Sequence, residues 1–231
     1  MSKFSHVFFD LDHTLWDFEK NAEETLIELF HHYNLSQFKD FTSNDFVKLY
    51  NENNKTLWDL YHKGKIDKEY LRTARFNLTF EQMGVPQNNI PKDIWELYLD
   101  ICPTKPHLMP GAIEVLEYLK PKYHISIITN GFEKVQKIKL EHSGLKPYID
   151  LMVSSEYLGV QKPDPAIFNH TLEKSKAKNH QTIMIGDNQE TDIAGAKNAG
   201  IKAVWYNATE SEIFEEPDYQ ISHLLQLTDV L

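Results

Sequence analysis

Five short, largely apolar runs constrain the fold of this chain more than any other feature. They stand at Val7–Phe9, Ile125–Ile128, Leu151–Val153, Thr182–Ile185 and Lys202–Trp205. After Pro103 the runs alternate with segments of helical periodicity. Alternating strands and helices indicate a parallel sheet covered on both faces, and the strands of such a sheet are apolar throughout because both of their faces are buried. We therefore predict an α/β fold with a doubly wound parallel sheet.

A long helical block separates the first run from the others. Between Phe18 and Ile101 apolar residues recur at helical spacing, and helix-breaking residues near 34–36, 63–65 and 84–86 divide the block into about four helices. No convincing strand occurs within it. The pattern predicts an inserted all-helical domain, residues 17–103, within a Rossmann-like core formed by residues 1–16 and 104–231. The 231 residues are enough for a core with such an insert.

Polar residues follow three of the predicted strands directly. They are Asp10 and Asp12 after the first strand, Thr129 and Asn130 after the second, and Asp187 after the fourth, with Asp192 five residues later. In an open α/β sheet the functional groups gather beyond the carboxyl ends of the strands. We therefore expect these residues, which are far apart in the sequence, to converge at one edge of the sheet.

The acidic residues indicate a metal and a nucleophile. Asp10 and Asp12 are two residues apart at a strand end, so they can face the same side. Close carboxylates repel one another unless protons or a cation intervene, and an all-oxygen cluster suits Mg²⁺. The cation would keep Asp10 ionised, and carboxylates are known nucleophiles that form aspartyl-phosphates. A neighbouring acid could protonate the leaving alkoxide and later deprotonate the attacking water.

Four short motifs resemble those of the haloacid dehalogenase-like superfamily, and the resemblance extends over nearly the full length of the chain. The motifs are Asp10-Leu11-Asp12-His13-Thr14-Leu15, Thr129-Asn130-Gly131, Lys162-Pro163-Asp164-Pro165, and Gly186-Asp187 through Thr191-Asp192. All four occur in the expected order and in the expected strand or loop context. His13 stands where many members have glycine, at a position that tolerates variety in the family.

The resemblance implies a role for each matching residue. Asp10 would be the nucleophile and a metal ligand. Asp12 would be the acid/base, and its backbone carbonyl would bind the metal. Thr129 and Asn130 would bind the transferring phosphoryl group, and Lys162 would pair with Asp10 and with the phosphoryl oxygens.

The same resemblance assigns the metal site and the helical insert. Asp187 would bind the Mg²⁺ ion. Asp192 would support the site without binding the ion directly. Residues 17–103 would form the helical cap of the family, which closes over the site.

Two stretches resemble the pyrimidine 5′-nucleotidase subgroup of this superfamily more narrowly. One runs from Asn54 through Gly64 and continues at Arg75-Phe76, and the other runs from Ile128 through Leu145. That subgroup removes phosphate from nucleoside monophosphates. The resemblance implies a magnesium-dependent phosphomonoester hydrolase that acts as a 5′-nucleotidase on pyrimidine nucleoside monophosphates.

Other functions share parts of this pattern. A phosphatase of small organic phosphates such as phosphoglycolate and a sugar phosphomutase remain open as alternatives. A haloacid dehalogenase is disfavoured because that branch typically lacks the second acid of the first motif, which is Asp12 here. A phosphorylatable signalling module is disfavoured because such modules are about half this length and lack a cap.

The only two arginines of the chain, Arg72 and Arg75, lie three residues apart on one predicted helix of the insert. Arginine can recognise a phosphate or a carboxylate with two parallel hydrogen bonds, which lysine cannot. Two interpretations stay open: surface or interhelical pairing of both residues, or a substrate contact by one of them. Arg75 is our candidate for the substrate contact. Four aromatic residues of the insert are predicted to lie in its core: Trp58, Tyr61, Phe76 and Phe80.

Composition excludes several classes of partner. A net charge of −10 argues against binding to a nucleic-acid polymer, which usually requires a basic face. No segment approaches the roughly 20 apolar residues that cross a bilayer, and the run Val7–Phe9 is too short for a signal peptide. The single cysteine, Cys102, indicates a reducing compartment. We therefore expect a cytoplasmic protein with a small-molecule phosphomonoester as its substrate, and the oligomeric state stays open.

Overall fold

A computed structural model describes residues 3–38 and 41–231 of the chain. These residues divide into two compact units, Met1–Phe18 with Lys105–Leu231, here called the core unit, and Glu19–Thr104, here called the helical unit. The division places Asp17 and Phe18 in the core unit and Thr104 in the helical unit, whereas the sequence-based bounds assign all three differently.

A six-stranded parallel sheet forms the centre of the core unit. Its strands are β1 (His6–Phe9), β2 (His124–Thr129), β3 (Leu151–Ser154), β4 (Thr182–Gly186), β5 (Lys202–Tyr206) and β6 (Tyr219–Ile221). The order across the sheet is β3-β2-β1-β4-β5-β6, and every neighbouring pair is parallel. The chain runs outward from β1 in both directions, so β1 marks the topological switch point where α/β sheets bind ligands. The predicted doubly wound α/β core is confirmed.

The strand β6 was missed from the sequence. It has three residues, and Tyr219 and Gln220 are exposed while Ile221 is buried. A strand that short at the edge of a sheet carries no continuous apolar run. The fully buried β1, in contrast, contains the uninterrupted apolar run Val7–Phe9, as expected for a central parallel strand.

The described residues of the helical unit form four α-helices, as the sequence predicted. They are α1 (Phe18–His32), α2 (Ser43–His62), α3 (Lys68–Gln82) and α4 (Ile94–Ile101). The start of α2 is fixed by a capping box, in which the Thr42 hydroxyl accepts from Asp45 N at 3.2 Å and the Asp45 carboxylate accepts from Thr42 N at 2.9 Å. Gly64, which has a φ of 65°, follows the end of α2. Glycine suits this position because it adopts the left-handed conformation without a steric penalty.

The aromatic residues of the helical unit divide into two groups. Phe76 and Phe80 are buried, as predicted. The same prediction is wrong for Trp58 and Tyr61, which are only half-buried. They lie in the last two turns of α2, where the Trp58 ring centroid is 5.6 Å from that of Tyr61 and 5.4 Å from that of His62. Helical spacing shows which residues share one face of a helix. It does not show that the end of this face lies outside the buried core, as it does here.

Six further α-helices lie within the described residues of the core unit. They are α5 (Ala112–Leu119), α6 (Glu133–His142), α7 (Ser155–Leu158), α8 (Pro165–Ser175), α9 (Ala194–Asn198) and α10 (Leu227–Val230). A buried cluster joins Phe8 of β1 and Met184 of β4 to Phe168 of α8. Burying one such side chain contributes about 1.5–3 kcal/mol, so this cluster holds the strand ends in place. No helix among the described residues is long and apolar enough to cross a membrane.

Candidate active site

The loop that follows β1 presents the first two acidic residues. Asp10 N donates to Ile185 O of β4 at 2.9 Å, which extends the sheet by one residue. The chain then turns back on itself, because Trp16 N donates to Leu11 O at 2.8 Å and His13 N donates to Trp16 O at 2.9 Å. This turn requires a φ of 62° at His13, in the left-handed region that glycine adopts most readily. The backbone at this position would therefore accommodate glycine readily.

A buried lysine joins two of the predicted acids. Lys162 Nζ lies 2.6 Å from Asp10 Oδ1 and 2.6 Å from Asp192 Oδ1, and Lys162 is 2% exposed. The lysine is fixed through its backbone, because Lys162 N donates to Asn130 Oδ1 at 2.8 Å and Asn130 Nδ2 donates to Lys162 O at 3.0 Å. The expected pairing of Lys162 with Asp10 is thus present. Asn130, expected to bind the phosphoryl group, has both side-chain polar atoms engaged by the backbone of Lys162.

Three carboxylates next to this lysine form a cluster of oxygen atoms. Asp10, Asp187 and Asp192 each offer one carboxylate oxygen, and these three atoms lie within 4.8 Å of one another. A set of oxygen donors alone is the set that Mg²⁺ prefers. The donor chemistry therefore fits the predicted metal. The side chain of Asp12 does not belong to this cluster.

Burial and mutual repulsion make this cluster electrostatically unfavourable without a cation. Burial raises the pKa of Asp10 from 3.8 to about 7; the Lys162 charge opposes the shift and the Asp192 charge adds to it. Burial also raises the pKa of Asp187 to about 6, and the negative charge of Asp10 adds to the effect. The pKa of Asp192 is raised by burial as well, although Lys162 opposes the shift. A divalent cation would offset these shifts by favouring the ionised forms.

The turn after β4 brings Asp192 back to the cluster. A single π-helical turn at Gln189–Ile193 precedes α9. Such wide turns are frequent at functional sites. Asp192 Oδ2 accepts from Asn188 N at 3.1 Å, and it lies so close to Gly186 that a Cβ there would be 2.2 Å from it. Glycine at position 186 is therefore required by this close approach.

Asp187 is held by two side chains that the sequence analysis did not single out. The Thr14 hydroxyl donates to Asp187 Oδ1 at 3.1 Å and accepts from Asp187 N at 3.1 Å. Trp205 Nε1 donates to Asp187 O at 2.8 Å. Thr14 lies within the first motif, so the motif itself was a signal for its involvement. Trp205 carried no such signal, because an apolar strand residue is expected in the core.

Asp12 is contacted by α6, and both contacts were missed from the sequence. Lys139 Nζ lies 2.6 Å from Asp12 Oδ1, and Gln136 Nε2 donates to Asp12 Oδ2 at 2.8 Å. Gln136 Nε2 also donates to Thr129 Oγ1 at 2.7 Å, and the same oxygen accepts from Gly131 N at 3.0 Å. Burial raises the pKa of Asp12, but the Lys139 charge and the two donors outweigh it, so the net pKa is lowered. The contacts from α6 thus favour the ionised form of the Asp12 carboxyl.

The two arginines of the helical unit have different environments. Arg72 is half-buried, whereas Arg75 is 4% exposed. Arg75 Nη1 donates to Asn54 Oδ1 at 3.1 Å, which links α3 to α2, and its guanidinium carbon lies 5.7 Å from the Tyr50 ring centroid and 5.5 Å from that of Tyr98. No carboxylate pairs with Arg75 within the described ranges 3–38 and 41–231. Arg75 thus has the interhelical pairing that was one of the two interpretations of the sequence. A substrate contact by Arg75 stays a prediction.

Comparisons with known proteins agree with the motifs. Residues 7–206 match the family model described as haloacid dehalogenase-like hydrolase. The chain is 34% identical to the pyrimidine 5′-nucleotidase YjjG of Escherichia coli (strain K12), over 99% of this chain and 98% of that protein. It is 31% identical to the pyrimidine 5′-nucleotidase PynA of Streptococcus pneumoniae (strain ATCC BAA-255 / R6), over 99% of this chain and 95% of that protein.

A solved structure also resembles this one. It is that of the HAD-hydrolase YfnB from Bacillus subtilis bound to magnesium. The TM-score is 0.88 and the sequence identity is 27%, with 100% of this chain and 99% of that chain covered.

Proposed function

The chain belongs to the haloacid dehalogenase-like hydrolase family and is a phosphatase of it, and on that premise we propose that it is a magnesium-dependent 5′-nucleotidase that acts on pyrimidine nucleoside monophosphates. The observation that carries the chemistry is the buried Lys162 ammonium, 2.6 Å from the Asp10 carboxylate and next to a cluster of three carboxylate oxygens. The observation that carries the substrate class is the similarity to two pyrimidine 5′-nucleotidases over nearly the whole chain.

In the first half-reaction Asp10 acts as the nucleophile. Its free carboxylate oxygen attacks the phosphorus atom, and the bond from phosphorus to the nucleoside 5′-oxygen breaks. Asp12 starts the cycle in its protonated form and gives that proton to the departing oxygen. Lys162 pairs with Asp10 and offsets the charge of the phosphoryl oxygens. The products of this step are the free nucleoside and an aspartyl-phosphate on Asp10.

In the second half-reaction water attacks the aspartyl-phosphate. Asp12 accepts a proton from that water, the bond from phosphorus to Asp10 breaks, and inorganic phosphate leaves. Asp12 is a carboxylate after the first half-reaction, which is the form that can accept this proton.

The proposed cofactor is Mg²⁺, held by Asp10, Asp187 and the backbone carbonyl of Asp12, with Asp192 supporting the site. Bound there, the ion would neutralise charge on the phosphoryl oxygens and keep the carboxylates ionised. The support for this assignment is the all-oxygen donor set and the raised pKa values of Asp10 and Asp187, which burial causes and a cation would offset.

Recognition of the nucleoside is assigned to the helical unit, with Arg75 as the candidate donor. The proposal is supported by a guanidinium that has a hydrogen bond to Asn54 and two flanking tyrosine rings, but no carboxylate partner within the described residues. A pyrimidine ring offers carbonyl oxygens that such a group can bind.

A substrate panel tests the proposal. Phosphate release is measured with Mg²⁺ on pyrimidine and purine nucleoside 5′-monophosphates, phosphoglycolate and a sugar phosphate. We expect the highest kcat/KM for the pyrimidine nucleotides. A higher value for phosphoglycolate than for every nucleotide would overturn the substrate class, and isomerised sugar phosphate without phosphate release would overturn the hydrolase reaction.

A further inference from the structure

Two residues of α6 contact the proposed acid/base, and the mechanism above gives them no part in either proton transfer. Lys139 Nζ lies 2.6 Å from Asp12 Oδ1, and Gln136 Nε2 lies 2.8 Å from Asp12 Oδ2. Both residues are buried: Gln136 is 0% exposed and Lys139 is 5% exposed. They are three residues apart and therefore share one face of the helix. Each oxygen of the Asp12 carboxylate thus has its own donor.

Gln136 also ties Asp12 to the end of β2. The same Nε2 atom that donates to Asp12 donates to Thr129 Oγ1 at 2.7 Å, so both of its N–H groups are used. The side chain fits there only because residue 131 is glycine, since a Cβ at Gly131 would lie 2.4 Å from Gln136 Nε2. The packing is therefore specific to this arrangement of Gln136, Thr129 and Asp12.

The environment of Lys139 differs from that of an ordinary helix-surface lysine. Its Nζ lies 4.2 Å from the Trp16 ring centroid and 5.7 Å from that of Phe18, as well as against Asp12. Removing an ammonium group from water is unfavourable unless it is paired and hydrogen-bonded. Lys137, two residues earlier on α6, has a side chain that is 55% exposed and pairs with Glu133 instead.

We propose that Lys139 and Gln136 are positioning residues that hold the Asp12 carboxylate in one orientation for proton transfer to and from the leaving-group oxygen and the attacking water. The proposal rests on the phosphatase mechanism given above. A carboxyl group with a donor on each oxygen cannot rotate freely. It is therefore already oriented for proton transfer when the substrate binds. Displacement of a catalytic group by about 1 Å can cost roughly 100-fold in rate, so this restraint is large enough to measure.

The leaving group provides the readout. An alkyl phosphate monoester that the wild-type enzyme hydrolyses needs a proton on its departing alkoxide, whereas p-nitrophenyl phosphate has a good leaving group. We expect Lys139→Met to lower kcat/KM for the alkyl phosphate by about tenfold or more, a part of the roughly 10²- to 10⁴-fold that general acid–base catalysis contributes. The value for p-nitrophenyl phosphate should change far less. Lys139→Arg should restore part of the alkyl phosphatase activity, and the control Lys137→Met should behave as wild type.

A double mutant identifies the route of the effect. If Lys139 acts through Asp12, then Lys139→Met should have little further effect in an Asp12→Asn background, because residues that act as one unit are strongly non-additive. An equal loss on both substrates, or a full additional loss in that background, would overturn the proposal. Thermal unfolding checks that each variant folds, and Gln136→Leu is judged by the same criteria if Lys139→Met does not fold.

The test separates this proposal from the proposed substrate. A failure of the pyrimidine preference would appear in the wild-type substrate panel, whereas a failure of the positioning role would appear in the ratio of variant to wild type on any alkyl phosphate that is hydrolysed.

Discussion

Without Mg²⁺, the protein should lose stability as the pH rises from 5 to 8, and Asp10 should cause much of that loss. Burial raises the pKa of Asp10 from 3.8 to about 7, despite the nearby Lys162 charge. The folded state therefore binds this proton more tightly than the unfolded state does. The stabilising contribution is fully present below pH 3.8, declines as the pH rises, and is lost above about pH 7. Asp187, whose pKa burial raises to about 6, acts in the same direction.

The magnitude follows from the width of that window. Between pH 5 and the folded-state pKa of about 7 lie two pH units, and each unit corresponds to about 1.36 kcal/mol. Asp10 alone should then lower the free energy of unfolding by about 3 kcal/mol between pH 5 and pH 8. For a chain of this size that corresponds to a fall of roughly 5–10 °C in Tm. Asp12 should not contribute in this window, because its pKa is lowered: burial opposes the shift, but the Lys139 charge outweighs it.

The assay is denaturant unfolding in EDTA at several pH values, for the wild type and for Asp10→Asn. The variant lacks the titrating carboxylate, so the difference between the two free energies of unfolding isolates the contribution of Asp10. At pH 8, Mg²⁺ at about 100 times its Kd should restore roughly 2.7 kcal/mol to the wild type, and it should restore less at pH 5, where a ligand is protonated. Parallel curves for the two proteins between pH 5 and pH 8 would refute the reasoning.

Three further predictions concern turnover. Asp10→Asn should abolish phosphate release, since an amide is not a competent nucleophile, and retention of more than a few per cent of wild-type kcat would reject covalent catalysis by Asp10. Activity should disappear in EDTA and return with Mg²⁺, and Asp187→Ala should raise the Mg²⁺ concentration needed for half-maximal activity; an unchanged requirement would remove Asp187 from the ligands. Arg75→Ala should lower kcat/KM for a pyrimidine nucleotide by roughly 10- to 150-fold, the equivalent of about 1.5–3 kcal/mol for a hydrogen bond to a charged group, and should spare p-nitrophenyl phosphate. A parallel loss on both substrates with a lowered Tm would instead assign Arg75 to the packing of α2 against α3.

Much of the fold and part of the site could be predicted because they depend on local patterns. A buried parallel strand needs an uninterrupted apolar run, so β1 and β4 were visible in the sequence. Strands that run parallel must end at the same edge, so the sequence alone was enough to place Asp10, Thr129 and Asp187 near one another. The short edge strand β6 escaped because it carries no such run.

The partners of the acids were decided only by the tertiary structure. Lys139 is 127 residues from Asp12 in the sequence, and Gln136 is 124 residues from it. On a helix with several lysines, nothing local distinguishes the buried Lys139 from the exposed Lys137. The difference arises from which face of α6 packs against the loop after β1, and that packing depends on the whole sheet. The sequence pattern therefore predicts the strand end at which a catalytic acid lies. Which lysine pairs with that acid depends on contacts between distant segments, and the pattern of a single segment does not determine those contacts.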